Sequence, residues 1–449
     1  MKFYLSLKSE LAASNYRGIK MKKIILFEGD IETQGYFSIQ MKKELERLGH
    51  PVYLYDLKSP WKSSMEMLAF IERGNTVVLS FNFHGMCMEP QFVDENGTYI
   101  WDDLGIPCYN ILADHPYYYY QRLSEAPKNY IQLSIDRGHE AFMKRFFPEV
   151  ELGPFLPLGG TELTEILRTS EKDGIPCGLT EARVNSRRPI AEREIDVIFT
   201  GNYANPARFE KYITRLGDEY TQFYYEMIHD LLAHPQQTVE EVVERYLRRE
   251  IPKVSEAELK ETMNNITFID LYVRYFARGQ VVRALVDAGV KVHVFGDKWE
   301  ELECEHPENL IDGDSLYSEE CLYQIQNSKI SLNVLPWFRQ GSHDRIYNTM
   351  LNGAICLTDS NSYLDQTLVD PTEISATGQG FSTESPTAGG ANCIKYSLTD
   401  PQEMAQRVIC LLSDPEKMQH IADAGYKLAQ IHTWGARMRE FSAWLEGVQ

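Results

Sequence analysis

The chain has 449 residues, more than one hydrophobic core commonly spans, so two domains are expected. Hydrophobic residues make up 43% and aromatic residues 12%, which excludes a disordered chain. Lys+Arg 45 against Asp+Glu 65 leaves a net charge of −20, and no long Lys/Arg run offsets it. Nucleic acid and anionic membrane are therefore disfavoured as partners, whereas a single nucleotide can still be held by a few local cations.

Residues 1–20 (MKFYLSLKSELAASNYRGIK) carry charges too often for a signal peptide and read as an N-terminal extension; Met21 opens a more natural start. KKIILFEGD (22–30), PVYLYDL (51–57), NTVVLSF (75–81), IPCYNIL (106–112) and NYIQLSI (129–135) read as strands separated by helical segments, one of them at 36–48. EVELGPFLPLGG (149–160) closes the series. Strands alternating with helices predict a parallel sheet covered on both faces, here a first domain over 21–190 with a polar linker at 161–193.

A second domain over 191–430 opens with EIDVIFTGNY (194–203). The Tyr-, Glu- and Arg-rich stretch 206–288 is longer than one crossover helix, which predicts a helical insertion over about 207–270. VKVHVFGD (290–297), NLI (309–311), SKISLNVL (328–335) and GAICLTD (353–359) supply further strands, with helices between them and at 400–413 and 415–429. Residues 431–449 carry Trp434, Phe441 and Trp444 at helical spacing. The eight cysteines are never closer than 17 residues, so neither a C-x-x-C zinc site nor a redox pair is expected, and a reduced, cytoplasmic protein is. No apolar stretch nears the roughly 18 residues needed to span a bilayer.

Two such domains face their strand C-termini into a common cleft. The turns expected there are EGDIETQGY (28–36), NFHG (82–85), ADHP (113–116), TGNY (200–203), GDKW (296–299) and QGSHDR (340–345), none of them a dinucleotide or P-loop fingerprint. QGSHDRIYNTMLNGAICLTD (340–359) is the most informative. Ser342 is read as the N-cap of a helix with His343 and Arg345 in its first turn and Asn348 on the same face. Free N–H groups, an imidazole and a guanidinium together suit a diphosphate, with Asn348 toward a sugar hydroxyl. The plain alternative is an ordinary capped helix with a solvated arginine.

These turns and the segments around them resemble the CgeB-like (spore maturation protein-like) glycosyltransferases of the GT-B fold over 21–449. The resemblance rests on VVLSFNF (77–83), IPCYNILADHP (106–116), SIDRGHEAFMKRFFP…LPLGG (134–160), IDVIFTGNY (195–203), VHVFGDKW (292–299), ISLNVLPWFRQGSHDRIYNTMLNGAICLTD (330–359) and HTWGAR (432–437). It implies two doubly wound Rossmann-like domains, a helical insertion in the second, and a C-terminal helix at 431–449 crossing back to the first. It also implies sugar transfer from a nucleotide-diphosphate donor, UDP-sugar being expected, to an acceptor that the sequence does not identify. One departure stands out: retaining GT-B enzymes place two acids eight positions apart, where this chain has Gln340 and Asn348.

Donor contacts are expected from Gly201, Asn202 and Tyr203, from Lys298, Trp299 and Tyr317 around the base, and from Gln340, Gly341, Ser342, His343, Arg345 and Asn348. Arg345 is also expected to neutralise the leaving diphosphate. Asp114 and His115, or His84, are candidates for the base that takes the acceptor proton. Gly29, Gly35 and His84 line the acceptor side, with Tyr117–Tyr120 along its edge. Asp312-Gly313-Asp314 resembles a D-x-D metal motif but reads as a turn, so neither a metal nor a cofactor is expected. Hinge closure between the domains is expected to exclude water. A nucleotide-sugar sensor without catalysis and a nucleotide-sugar epimerase remain open as alternatives.

Overall fold

The computed structural model describes residues 21–164, 188–373 and 390–447. The expected extension at 1–20 and most of the 161–193 linker lie outside them.

Six parallel strands form the first sheet: β1 (Lys23–Glu28), β2 (Val52–Asp56), β3 (Thr76–Phe81), β4 (Cys108–Leu112), β5 (Tyr130–Ser134) and β6 (Glu151–Phe155), in the order β2-β1-β3-β4-β5-β6. A second parallel sheet holds β7 (Ile195–Thr200), β8 (Val292–Phe295), β9 (Leu310–Asp312), β10 (Ser328–Asn333), β11 (Ile355–Thr358) and β12 (Ile394–Lys395), ordered β12-β11-β10-β7-β8-β9. Every residue of β3, β4 and β5 is buried, as sheets covered on both faces require. Chain order reverses at β1/β3 and at β7/β10, and these switch points open the crevices that ligands use. Only the two-residue β12 lacks a signal in the sequence, being too short to carry a pattern.

Helix α1 (Glu32–Arg47) follows β1 and begins four residues before the periodicity that marked it. Helix α2 (Arg137–Phe146) follows β5. Between β7 and β8 the chain builds α3 (Asp218–Ala233), α4 (Val239–Glu250) and α5 (Glu256–Asn265), then returns to the sheet along the 21-residue α6 (Thr267–Asp287). Thr238 and Ser255 cap α4 and α5 in complete capping boxes, with Glu241 and Glu258 as reciprocal partners. Helices α7 (Ser318–Gln326), α8 (Asp344–Leu351), α9 (Pro401–Leu412) and α10 (Pro415–Ala429) complete the second domain.

Helix α11 (Trp434–Leu445) crosses to the first sheet. Its Trp434 ring lies 5.1 Å from Phe37 of α1, and Phe441 and Trp444 both meet Tyr109 of β4 edge-on at 5.3 Å. Trp434 and Phe441 share one buried cluster with β1 and β3 side chains, so the crossover is part of the first domain's core.

Candidate functional site

At the β7/β10 switch point, Gly201 has φ +145° and its N–H donates to the carbonyl of Phe295 at 2.8 Å. Gly296, at φ +152°, sits so close that an added Cβ would lie 2.5 Å from the Gly201 carbonyl. Two turns thus meet where only glycines fit. A Cβ on Gly201 would come 3.1 Å from Nη2 of Arg345, so the absent side chain is what admits that guanidinium. Arg345 donates to Oδ1 of Asn333, at the end of β10, at 2.8 Å and lies over the Phe199 ring at 5.1 Å.

Helix α8 is capped by His343, not Ser342: Nδ1 of His343 accepts from the backbone N–H of Arg345 at 3.2 Å. The same Nδ1 lies 3.0 Å from Oδ1 of Asp344. Burial, then Arg345, Arg278 and Arg274, hold the His343 pKa well below its ordinary value. His343 is therefore neutral rather than the cation that the spacing suggested. Ser342 is buried 2% exposed, one residue outside the cap.

Two further arginines come from α6, four residues apart on one face. Arg278 donates to the carbonyl of Asn202 and lies 5.3 Å over the same Phe199 ring. Burial, and next the charge of Arg345, push the Arg278 pKa down to about 9. The Arg345 pKa is lowered by burial, against the pull of Asp344. Like charges gathered under burial are costly unless an anion joins them. Arg274 sits 3.2 Å from Asp270 and 3.7 Å from Asp114 of the first domain, and these carboxylates raise its pKa against burial. The R-x-x-x-R spacing was present in the sequence, but nothing local says that a helix of the insertion passes the β7 turn.

Asp344 was also missed. It lines the cleft, and burial raises its pKa to about 6, opposed by Arg345. Asn348 donates to Oδ2 of Asp344 at 2.8 Å and accepts from the N–H of Thr161 at 2.7 Å. Oδ1 of Asp344 lies 3.0 Å from Nδ1 of His343, so Asp344 and Asn348 line the cleft as one hydrogen-bonded pair.

The cleft itself encloses about 400 Å³ between both domains, with Glu32, Tyr36 and Asp114 on one wall and Gly201, Leu316 and Arg345 on the other. A second cavity of about 830 Å³ adjoins it along the first sheet, sharing Ile31, Gln34 and Asp114 and adding Gly29, His84 and Tyr119. Asp114 accepts from the Tyr119 hydroxyl at 3.3 Å and stands between the two spaces. Nε2 of His84 lies 3.0 Å from Oδ2 of Asp30, and burial lowers the His84 pKa against that carboxylate.

Several expected residues fall elsewhere. His115 is 4% exposed, stacks on Tyr117 at 3.9 Å and points Nε2 at Glu240 of α4, 3.5 Å away. It lines neither cavity and forms no pair with Asp114. Gly35 is packed inside α1, 3.5 Å from Glu28 as a Cβ would measure it. Trp299 is fully buried, donates to the Gly201 carbonyl at 2.9 Å and stacks on Tyr203 at 5.2 Å; both brace the turn from behind instead of facing a base. Lys298 turns its ammonium to Glu300, 3.6 Å away. Tyr317 caps α7, while its neighbours Leu316 and Ser318 line the cleft. Asn202 lines it too, but its Oδ1 accepts from the N–H of Asp297. Gln340 and Gly341 bolt the domains together: the Gln340 N–H donates to Oδ2 of Asp136 at 2.8 Å, and Gly341 bridges Asp136. Asp312-Gly313-Asp314 forms the expected turn, with the Asp314 N–H donating to Oδ1 of Asp312 at 3.2 Å.

Residues 278–443 match a family model described as glycosyl transferase-like, a span that opens at Arg278 and contains all of α8. Among solved structures, an alpha-glucosyltransferase in complex with UDP and a 13-mer DNA with a central A:G mismatch superposes with TM-score 0.54 at 9% identity, covering 96% of this chain and 100% of that one. An alpha-glucosyltransferase in complex with UDP gives 0.51 at 10% identity, covering 95% and 100%. Comparison with curated proteins finds no match. Residues 278–443 thus carry the match to a glycosyl transferase-like family, and the superpositions extend over nearly the whole chain as a likeness of fold. The architecture is GT-B, with the helical insertion and the crossover helix that the resemblance implied.

Proposed function

We propose that the enzyme transfers a sugar from a nucleotide diphosphate, a UDP-sugar, to a hydroxyl-bearing acceptor, and that it stands with the CgeB-like group. One observation carries this: Arg278 and Arg345 converge on the Phe199 ring beside the N-terminus of α8, in a molecule of net charge −20. Each guanidinium is buried against its own charge, and a diphosphate is the anion whose size and charge match two of them. As the bond from sugar to phosphate breaks, charge grows on the departing oxygen, and fixed cations stabilise that state more than the ground state. Together with the helix N-terminus they supply the charge that a metal would otherwise bring. The UDP in the alpha-glucosyltransferase structures supports the choice of nucleotide. The acceptor is assigned to the first-sheet cavity, where Asp114, held by Tyr119, is the proposed base; the His84–Asp30 pair is the other group able to take a proton there.

Calorimetry with UDP-glucose tests the donor site. Arg345→Ala should weaken binding by about 1.5–3 kcal/mol, the range for a charged hydrogen-bond donor, and Arg278→Ala in the same direction. Equal affinities in wild type and Arg345→Ala would sink the assignment. Incubation with a set of nucleotide sugars, followed by mass spectrometry for released UDP or GDP, separates transfer from epimerisation of the donor alone and from binding without turnover. The rate of UDP release should survive EDTA; its collapse would assign the leaving-group charge to a metal.

A further inference from the structure

The helix Pro60–Phe70, between β2 and β3, carries Trp61, Met65 and Leu68 on one stripe, at 87%, 73% and 54% exposure. Ser63 and Met67 face the protein, so the stripe is the side turned away from the sheet. A tryptophan so exposed is unusual, because a large apolar ring loses most by standing in water. Cations gather at both ends: Lys58 and Lys62 near the start, and Lys22, Lys23 and Arg73 near the finish, where Lys22 and Lys23 donate to the Gly74 and Phe70 carbonyls. Lys23 lies 3.8 Å from Glu72, Lys62 lies 3.9 Å from Glu66 and Arg73 donates to the Asp103 carbonyl, so cations and carboxylates are close to balanced here in a chain where acids outnumber bases 65 to 45. The helix starts three residues after Leu57, which lines the acceptor-side cavity, so its Trp61 end is the one nearest that opening.

We propose that this ridge seats the first domain on a lipid bilayer surface, with the acceptor-side cavity opening toward the lipid. Trp, Met and Leu would enter the headgroup–acyl boundary while the flanking lysines stay at headgroup level. A second copy of the chain fits less well. Three side chains on a convex helix fall far short of the roughly 800 Å² that a stable dimer buries on each partner. Two molecules at −20 also repel, whereas a neutral bilayer does not. The net charge disfavours attraction to an anionic membrane by charge; it does not oppose this apolar contact. The ridge is independent of the donor site, and stands or falls separately from it.

Flotation of the full-length protein with phosphatidylcholine vesicles tests the proposal. Wild type should rise with the vesicles, and Trp61→Ser combined with Met65→Ser should stay behind. Leu68→Ser alone should reduce the floating fraction several-fold. These positions are exposed, and unchanged UDP-glucose affinity in each variant would show the fold intact. Wild type remaining in the dense fraction would overturn the proposal, as would equal flotation of all variants. A doubled mass in light scattering that Trp61→Ser abolishes would overturn it in favour of a second copy. Flotation without nucleotide binding would leave the ridge standing and defeat the donor reading instead.

Discussion

Gly201 and Gly296 meet back to back at the β7 turn, and their missing side chains decide where Arg345 can lie. Gly296→Ala forces a Cβ to within 2.5 Å of backbone at φ +152°, and should cost about 1–3 kcal/mol in a urea titration. Asp344 gives the site its pH response. Burial raises its pKa to about 6 from 3.8, so the carboxyl is neutral below that value and negative above it. Arg345, Arg274 and Arg278 keep their charges across this range, and His343, held low by burial, stays neutral. Raising the pH past about 6 therefore adds one negative charge beside the diphosphate. UDP-glucose, whose diphosphate diester does not titrate here, should bind more tightly at pH 5.5 than at 7.5, and Asp344→Asn should flatten that difference in calorimetry. The stability sign follows the same logic. A raised carboxyl penalises the folded state once pH exceeds the unfolded value, so Asp344→Asn should raise the melting temperature above pH 6 and not below pH 3.8. Arg345 and Gly201 were legible as residues because their chemistry is local. Asp344 was not, since its importance comes from burial in a cleft that both domains line.

Among the elements, α8 shows how tertiary contacts overrule a local preference. Ser342 is the better cap by propensity, but the preceding Gln340 and Gly341 are pinned to Asp136, and the chain reaches helical geometry one residue later, at His343. Helix α11 follows its sequence closely, because Trp434, Phe441 and Trp444 already marked an apolar face. Trp434→Ala should remove about 3–5 kcal/mol from the unfolding free energy, typical for a buried aromatic, and should do so in any assay of global unfolding. The insertion was legible as helix from a Tyr-, Glu- and Arg-rich stretch longer than one crossover helix. Its destination was not: Arg145 of α2 reaches Glu244 of α4 at 2.6 Å and Glu256 of α5 at 2.7 Å, contacts with more than ninety residues between partners. Arg145→Ala should cost only about 1 kcal/mol, as partly exposed ion pairs do, with thermal unfolding as the check.

At the scale of the molecule, ties across the cleft are numerous. Glu32 at the start of α1 accepts from the N–H and hydroxyl of Ser318 at the start of α7, at 3.0 and 2.8 Å. The Tyr118 hydroxyl donates to Asp270 of α6 at 2.7 Å, and Asn348 accepts from Thr161. With the insertion gripping α2 as well, the hinge motion expected from the fold has little room. UDP-glucose should leave the radius of gyration in solution scattering nearly unchanged, whereas Glu32→Ala combined with Arg145→Ala should expand it and weaken nucleotide binding together. A large compaction of the wild type on adding nucleotide would show that the ties open and close.

Composition and strand–helix alternation determined two parallel sheets, because burial on both faces imposes continuous apolar runs that need no partner to be read. The glycine turns and the start of α8 were visible for the same reason, as demands of a single stretch of backbone. The arginine pair over Phe199, the isolation of His115 from Asp114 and the use of Trp299 as a brace were decided only by the tertiary structure. Each depends on the direction of a side chain relative to an element distant in sequence, and in each case burial and like charge act only once those elements meet.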